Sequence, residues 1–288
     1  MKIKELYKSG QPVLSLEIFP PQVDYPLESI FVTLDHLVEL NPCFLSVTYG
    51  SGRGDRPRTA EIASRIRQQY GLEALAHLTG VGHSRAEVDE ILDQLIAAGI
   101  ENIMALRGGL PLGDPGFDRA EQGYRYAVDL IRDAKRKYDF CIAAAAYPEG
   151  HPESRRLSQD VIHLRQKVNA GVDVLITQLF FDNRVFYDFM EKAQRVAINV
   201  PVVPGIMPVL NANQIKRIIY LCGVSMPASL LKLVDRYQHD PEAMAKAGVE
   251  YASNQVQDLL KNQVPGVHLY TMNKWAQVSE IIHNVKLR

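Results

Sequence analysis

The sequence has few of the features that mark secreted or membrane proteins. It holds three cysteines in 288 residues, Cys43, Cys141 and Cys222, which are far apart and form no Cys-x-x-Cys pair. That pattern does not fit a disulfide framework or a thiolate zinc site, and it suits a reducing compartment. The first residues lack the apolar segment of a signal peptide, and no run approaches the roughly 18 apolar residues of a membrane span. We therefore expect a soluble, cytoplasmic protein.

A strong charge of either sign is also absent. The formal net charge is −1 at pH 7, so there is no basic field to attract nucleic acid or an anionic membrane surface. The stretch "GSGRGD" (50–55) lacks the spacing of a dinucleotide fingerprint, and there is no Walker loop. The eight histidines show no paired spacing typical of a metal site, and we expect none. What remains is the composition of a globular protein, 47% hydrophobic and 23% charged.

Short apolar runs rich in β-branched or aromatic residues recur along the chain and predict strands. There are eight such runs, at 13–19, 44–49, 73–78, 102–107, 141–147, 174–180, 200–206 and 266–272. Amphipathic segments lie between them and predict helices. One begins at Ser84 with Glu87 three residues later, which is a capping box. Another begins near Asn211 or Asn213, either of which is a suitable cap, and 221–265 is expected to carry extra helix.

Strands that alternate with helices predict an α/β fold with a parallel sheet. Eight units in a chain of this length favour a single-domain (β/α)₈ TIM barrel over residues 1–288, because roughly 250 residues is usual for that fold. An open doubly wound sheet is the alternative. The connection 108–120, rich in Gly, Pro and Asp, is long for a compact fold and is therefore a candidate functional loop.

A barrel places its active site at the carboxyl ends of its strands. Polar or glycine residues fall at or near nearly every predicted strand end, namely Glu17, Thr48, Tyr49, His77, Arg107, Gly108, Tyr147, Gln178 and Tyr270. Each has a simpler interpretation: Glu17 and Arg107 could form a buried ion pair, His77 could be a core histidine, and Tyr147 could serve packing. The convergence of so many polar residues at one end nevertheless indicates a binding surface.

Glu17 lies within the apolar stretch "LSLEIFPP" (14–21), beside Leu16, Ile18 and Phe19. Apolar surroundings would disfavour the charged form of its carboxyl group. We therefore expect Glu17 to deliver a proton near neutral pH, as a general acid does. Arg107 followed by glycine suits an anion, because the guanidinium supplies a fork of donors and glycine allows close backbone approach.

Seven segments occur in one order along the chain: "LEIFPP", "LSVTYG", "EALAHLT", "NIMALRG", "AAYPEGHPE", "KVNAGVDVLITQLFFD" and "PVVPGIMPV". With "HLYTMNK" after them, they resemble the methylenetetrahydrofolate reductase family in its short bacterial form, over nearly the whole chain. The resemblance implies a barrel that binds FAD. NADH or NADPH delivers hydride to the flavin, and 5,10-methylenetetrahydrofolate then receives it and becomes 5-methyltetrahydrofolate. It also implies a homo-oligomer, and an electron-transfer protein partner is an alternative electron source.

The resemblance also implies roles for individual residues. Glu17 matches the family's general acid, which protonates the folate as its five-membered ring opens. Gln178 matches a contact to both folate and nicotinamide, whereas Gln214 and Lys274 match further folate contacts. The flavin-binding positions fall on Thr48, Tyr49, Ser51, His77, Arg107, Gly108, Gly109, Tyr126, Ala127, Tyr147, His151, Asp160 and Lys167.

Three positions depart from the family pattern. Gly109 stands where the family has an aspartate that binds the pterin, Lys274 where it has an arginine, and Ile218 where the enteric form has a stacking phenylalanine. These changes weaken the expected folate site more than the flavin site. Two alternatives follow: a flavin-binding barrel subunit with altered or lost folate activity, and a relative that oxidises methyltetrahydrofolate. The length of 288 residues leaves no room for the family's S-adenosylmethionine-binding regulatory domain, so we expect none.

Overall fold

The computed structural model of the chain describes residues 1–22, 24–49, 56–109, 123–154 and 156–287. All eight predicted strands are present within these ranges, and the seventh is divided into two short strands. Their bounds are β1 Val13–Ile18, β2 Phe44–Val47, β3 Glu73–Thr79, β4 Asn102–Leu106, β5 Cys141–Ala146, β6 Val174–Thr177, β7 Val202–Val203, β8 Gly205–Ile206 and β9 Gly266–Tyr270.

The strands form one parallel sheet that closes on itself. Strands β1 to β7 pair in sequence order, while β9 pairs with β1 on one side and with β8 on the other. Pro204 separates β7 from β8 because it has no N–H to donate to the ladder, although its carbonyl oxygen accepts from His268 N at 2.9 Å. The stretch 202–206 therefore joins both ends of the sheet. The single-domain barrel prediction is confirmed, and the open-sheet alternative is wrong.

Helices surround the barrel, and their bounds agree with the predicted start signals. They are a 3₁₀ helix Ile3–Lys8, then α1 Glu28–Val38, α2 Arg56–Gln69, α3 Arg85–Ala97, α4 Ala127–Lys137, α5 Leu157–Asn169, α6 Asn183–Arg195, α7 Ala212–Cys222, α8 Ala228–Tyr237, α9 Pro241–Lys261 and α10 Trp275–Val285. The capping box of Ser84 and Glu87 is confirmed. Asn211 caps α7, and α8 and α9 are the extra helices expected within 221–265. None of the helices in the described ranges has both the length and the apolar character needed to span a bilayer.

Two apolar layers follow from the alternation of side chains along the strands. Leu16 and Ile18 belong to the large core between strands and helices. Val13, Phe44 and Val174 belong instead to the cluster inside the barrel, into which Ile3 of the 3₁₀ helix also packs. The lower part of the barrel interior is therefore filled by apolar side chains, which leaves its carboxyl end for polar residues.

Candidate active site

Glu17 lies inside the barrel rather than among its apolar sequence neighbours. Because successive residues of a strand face opposite sides, Leu16 and Ile18 pack outward while Glu17 faces inward. Its side chain is buried, with the residue 6% exposed. Oε2 of Glu17 lies 3.3 Å from Nε2 of His268 and 3.5 Å from Nε2 of His77. The expectation of apolar surroundings for this carboxyl group is therefore wrong, since two imidazoles contact it.

Two serines hold the two imidazoles. Ser15 Oγ lies 2.8 Å from Nδ1 of His268, and Ser46 Oγ lies 2.7 Å from Nε2 of His77. Burial lowers the pKa of His77 to about 4, so this ring is neutral near pH 7. A neutral His77 gives Glu17 a polar neighbour without placing a full positive charge beside it.

Tyr270 and Thr271 fasten the surroundings of Glu17 from the end of β9. The Tyr270 hydroxyl donates to the carbonyl oxygen of Thr177 at 2.6 Å, passing close to Gly205. Burial raises the pKa of Tyr270 well above its usual range, so it stays a donor. Thr271 Oγ1 donates to the main-chain oxygen of Glu17 at 2.6 Å. The end of β9 is thus tied to the backbone of Glu17 through Thr271 and to the end of β6 through Tyr270.

A cavity of about 450 Å³ lies beside the carboxyl ends of β4 and β5. It is lined from β4, from the start of α4, from the end of β5 and from α5. Seven of the residues matched to flavin-binding positions line it, namely Arg107, Tyr126, Ala127, Tyr147, His151, Asp160 and Lys167. The structure thus brings together residues that are spread over 61 positions of the chain, from 107 to 167.

The cavity carries cations and aromatic rings. Arg107 makes two hydrogen bonds to Glu153, Nη1 to Oε2 at 2.6 Å and Nη2 to Oε1 at 2.8 Å, which raise the pKa of Arg107. Arg107 is therefore not the ion-pair partner of Glu17. Lys167 Nζ donates to Ala145 O at 2.5 Å, and burial lowers the pKa of this amine to about 8. The cavity lining therefore carries two cationic groups, Arg107 and Lys167, beside two carboxylates, Glu153 and Asp160, and the two cations are the groups that suit an anionic ligand.

His151 and Tyr147 form one wall of that cavity. Their rings pack edge to face with centroids 4.8 Å apart. Burial, and after it the charge of Arg107, lowers the pKa of His151, while burial raises that of Tyr147. Both side chains are therefore uncharged near pH 7 and act as hydrogen-bonding and stacking groups.

Comparison with known proteins decides the family. The family model described as methylenetetrahydrofolate reductase matches residues 2–286. The chain belongs to the methylenetetrahydrofolate reductase family. It is 36% identical to the 5,10-methylenetetrahydrofolate reductase of Pectobacterium carotovorum subsp. carotovorum over 281 residues, covering 97% of this chain and 92% of the relative. The reductase of Escherichia coli (strain K12) is 36% identical over 279 residues, with the same coverage. Its relatives are thus oxidoreductases.

Plant members of the reductase family are longer. Methylenetetrahydrofolate reductase (NADH) 1 of Arabidopsis thaliana is 33% identical over 297 residues, covering 99% of this chain but 50% of the plant protein. The chain thus spans about half the length of the plant relatives it matches. Among solved structures, an uncharacterized protein from Clostridium thermocellum that binds two copies of 5-methyl-5,6,7,8-tetrahydrofolic acid superposes with a TM-score of 0.65 at 13% identity. The superposition covers 99% of this chain and 97% of the Clostridium protein, and it supports the barrel fold.

Five further residues matched to flavin positions of the reductase family, within the described part of the chain, are not in the cavity lining: Thr48, Tyr49, His77, Gly108 and Gly109. His77 contacts Glu17, and Thr48 follows β2, where its carbonyl oxygen accepts from Thr59 Oγ1 at 2.9 Å. Tyr49 OH lies 2.9 Å from Nε2 of His83. Gly108 and Gly109 follow β4, and Ser51 lies outside the described residues.

The residues matched to folate contacts lie on three different elements. Gln178 follows β6, and its Oε1 accepts from Leu179 N at 2.9 Å. Gln214 is half-buried in the first turn of α7, and Lys274 is exposed at the cap of α10. Ile218, in place of the enteric phenylalanine, packs on α7 in the apolar cluster that includes Leu179.

His268, Ser15 and Ser46 were missed as site residues from the sequence. His268 has no exposed surface and touches Glu17, yet it belongs to a predicted strand as an ordinary member. A signal was present: His268 and Tyr270 alternate on that strand and therefore face the same side. Glu153, the partner of Arg107, was also missed and has no comparable local signal.

Proposed function

We propose that the chain reduces 5,10-methylenetetrahydrofolate to 5-methyltetrahydrofolate with electrons from NADH or NADPH, using FAD held in the cavity. The observation that carries this proposal is the buried carboxyl group of Glu17, placed inside the barrel between two imidazoles. The names of the bacterial and plant relatives support the substrate, and the plant names support NADH. The methyltetrahydrofolate-binding barrel from Clostridium thermocellum supports folate binding by this fold.

The cavity fits FAD in the chemistry of its lining. A volume of about 450 Å³ is within the usual range of ligand pockets. Arg107 and Lys167 supply cations for a diphosphate, and the first residues of α4, which include Ala127, supply backbone N–H groups at a helix start. Tyr126 and Tyr147 supply aromatic surface. When bound, FAD accepts hydride from the nicotinamide and donates it to the folate one-carbon unit.

In this proposal, Glu17 donates a proton to the folate substrate. Opening the five-membered ring of the folate frees an amine nitrogen that must take up a proton, and a carboxyl group is a suitable donor. His268 and His77 restrict the direction of the carboxyl group, and Ser15 and Ser46 restrict the imidazoles in turn. The low exposure of Glu17 limits competing water. The residues of the barrel therefore supply an oriented and shielded acid.

Gln178, Gln214 and Lys274 complete the proposed folate site. The amides of Gln178 and Gln214 can hydrogen-bond polar ring edges, and the exposed ammonium of Lys274 suits a carboxylate of the substrate. The alternative of a flavin-binding barrel without folate activity draws on one observation, the exposed Gly109 in place of an aspartate. The homo-oligomer, a protein electron donor, the reverse reaction and a cytoplasmic location stay predictions.

The test measures the flavin absorbance of the purified protein under anaerobic conditions. We expect a yellow protein whose 450 nm absorbance is bleached by NADH or NADPH and restored by methylenetetrahydrofolate, with methyltetrahydrofolate as the product. Bleaching without restoration by folate would keep the flavin proposal and overturn the folate one. A protein that binds no flavin after incubation with FAD would overturn both.

A further inference from the structure

Asn273 joins β1 to the segment after β9 beyond the last paired residues of both strands. The register of the two strands ends with Glu17 opposite Tyr270. Two residues after Glu17, just beyond the end of β1, the N–H of Phe19 donates to Asn273 Oδ1 at 2.9 Å, and Asn273 Nδ2 donates to Phe19 O at 2.8 Å. The side-chain amide of Asn273 thus satisfies both backbone groups of Phe19, as the peptide groups of a neighbouring strand would.

The main chain turns away at the same place. Met272 and Asn273 have φ angles of 49° and 57°, in the left-handed region that asparagine tolerates better than most residues. Asn273 N donates to Thr271 Oγ1 at 3.0 Å, and that hydroxyl donates to Glu17 O. Lys274 then occupies the N-cap position of α10, where its side chain makes no capping hydrogen bond. Thr271 is therefore bonded to the backbone of Glu17, and Asn273 to that of Phe19, just before Lys274.

The far side of Lys274 is also held. The ring of Trp275 stacks on that of His36 in α1, with centroids 3.9 Å apart and an interplanar angle of 18°. After the end of β1, Pro20 and Pro21 follow Phe19, and neither has an N–H with which to continue the ladder of the sheet. The side-chain amide of Asn273, together with the bonds from Thr271 to Glu17 O, thus fixes the end of β1 relative to the start of α10.

We propose that Asn273 is a positioning residue that sets the separation between Glu17 and Lys274, so that the proton donor and the folate-contacting cation act on the same substrate molecule. This inference rests on the proposed function. Its physical reason is that proton transfer requires a donor placed to within a fraction of an ångström, and a displacement of about 1 Å costs about a hundredfold in rate. Removal of the amide should therefore lower kcat with folate while leaving the flavin cavity intact.

The test compares Asn273→Gly with Met272→Gly. Both replace a residue with positive φ by glycine, but the side chain of Met272 is 38% exposed and lies outside the proposed site. We expect Asn273→Gly to lower kcat for methylenetetrahydrofolate about 10- to 100-fold, with flavin bleaching by NADH unchanged. Met272→Gly should change neither. Asn273→Asp keeps the acceptor for the Phe19 N–H and loses the donor, so its loss of kcat should be smaller.

Two further measurements separate positioning from a structural role. In a Glu17→Gln background, Asn273→Gly should lower kcat no further, because it acts through Glu17. Hydrogen–deuterium exchange of the peptide 18–21 should become faster in Asn273→Gly and stay unchanged in Met272→Gly. This peptide is informative because its two prolines contribute no amide hydrogen, so the amide of Phe19 is not masked by theirs. Full kcat in Asn273→Gly with quickened exchange would overturn the positioning role, as would an additive loss in the double variant. No folate turnover in the wild type would instead overturn the proposed function and this inference together.

Discussion

Nε2 of His268 lies 3.3 Å from Oε2 of Glu17, although 251 positions separate the two residues in the chain. The pairing of β9 with β1 creates this contact, because it places His268 opposite Ser15 in the ladder, two pairs below Glu17 and on the same face of the sheet. The carboxyl group is therefore oriented by the closure of the barrel rather than by its own strand.

Replacement of Glu17 by glutamine should greatly slow folate reduction, to a rate that is still measurable, and should spare the oxidation of NADH. Glutamine keeps the shape of the side chain but cannot donate a proton to the substrate, and general acids contribute about 10²- to 10⁴-fold. Steady-state rates with methylenetetrahydrofolate as electron acceptor measure folate reduction, and those with a quinone as acceptor measure the oxidation of NADH separately. His268→Asn should lower the rate of folate reduction by a smaller factor, because it removes a contact that orients the carboxyl group of Glu17 but leaves that group in place. Near-normal folate turnover in Glu17→Gln would exclude the proposed role of Glu17.

Acidification should destabilise the fold through His77. Burial lowers the pKa of His77 from 6.5 to about 4, so between these values the unfolded chain binds a proton that the folded chain does not. The contribution of neutral His77 to the free energy of unfolding should therefore be fully present above pH 6.5. It should be lost as the pH drops toward 4, which lowers the free energy of unfolding by up to about 3 kcal/mol. Urea unfolding at several pH values measures this slope. His77→Gln should have a shallower slope, and parallel curves for the two proteins would refute the assignment.

A side chain at position 205 should disrupt the wall of the barrel. A Cβ on Gly205 would meet the carbonyl oxygen of Thr177 and lie 2.6 Å from Cε2 of Tyr270, so Gly205→Ala should cost about 3 kcal/mol or more. Gly109→Ala is the matched control, because a Cβ there would have no atom of the described residues within 4 Å. Thermal unfolding of both variants provides the comparison. Equal midpoints would mean that Tyr270 moves aside without cost.

Flavin binding should weaken as the pH rises through about 8. The Lys167 amine has a pKa of about 8 and loses its positive charge above that value, and with it part of its attraction for a diphosphate. The dissociation constant for FAD, followed by flavin fluorescence between pH 7 and 9, should rise by at most about tenfold per pH unit. Lys167→Arg should remove this dependence, since a guanidinium stays charged. The same pH dependence in Lys167→Arg would assign it to another group.

An aspartate restored at position 109 should strengthen folate binding. The site is exposed and open to a side chain, so Gly109→Asp should fold as the wild type does. The resemblance to the reductase family predicts a lower KM for methylenetetrahydrofolate in Gly109→Asp, by several-fold. Gly109→Asn has the same shape without the charge and serves as the control. An equal effect of Asp and Asn would show that charge is not the reason.

The strands were predictable because their signal is local. Each consists of a short apolar run between turn residues, and Ser84 and Asn211 likewise mark helix starts by contacts within four residues. The break at Pro204 was not predicted, although a proline inside a strand is a known sign of an interrupted ladder. Local chemistry thus accounts for the elements of the fold.

The surroundings of Glu17 were not predictable in the same way. Its sequence neighbours Leu16 and Ile18 face the helices, and its contacts come from His77 and His268 on other strands. Such contacts depend on the register of the closed barrel, which no short segment carries. Seven of the residues that line the cavity were named through family resemblance, and their role in flavin binding stays a prediction, whereas the pairing of Arg107 with Glu153 required the structure.

The role of β9 in closing the barrel also bears on the order in which the protein is made. During synthesis, β1 to β6 can pair with their neighbours in turn as each emerges, because those strands are adjacent in sequence order. The segment 266–270 follows β1 to β8 in the chain and brings His268 with it. Glu17 therefore gains this partner only when the barrel closes, and a nascent chain lacks the contact between the two side chains until β9 is in place.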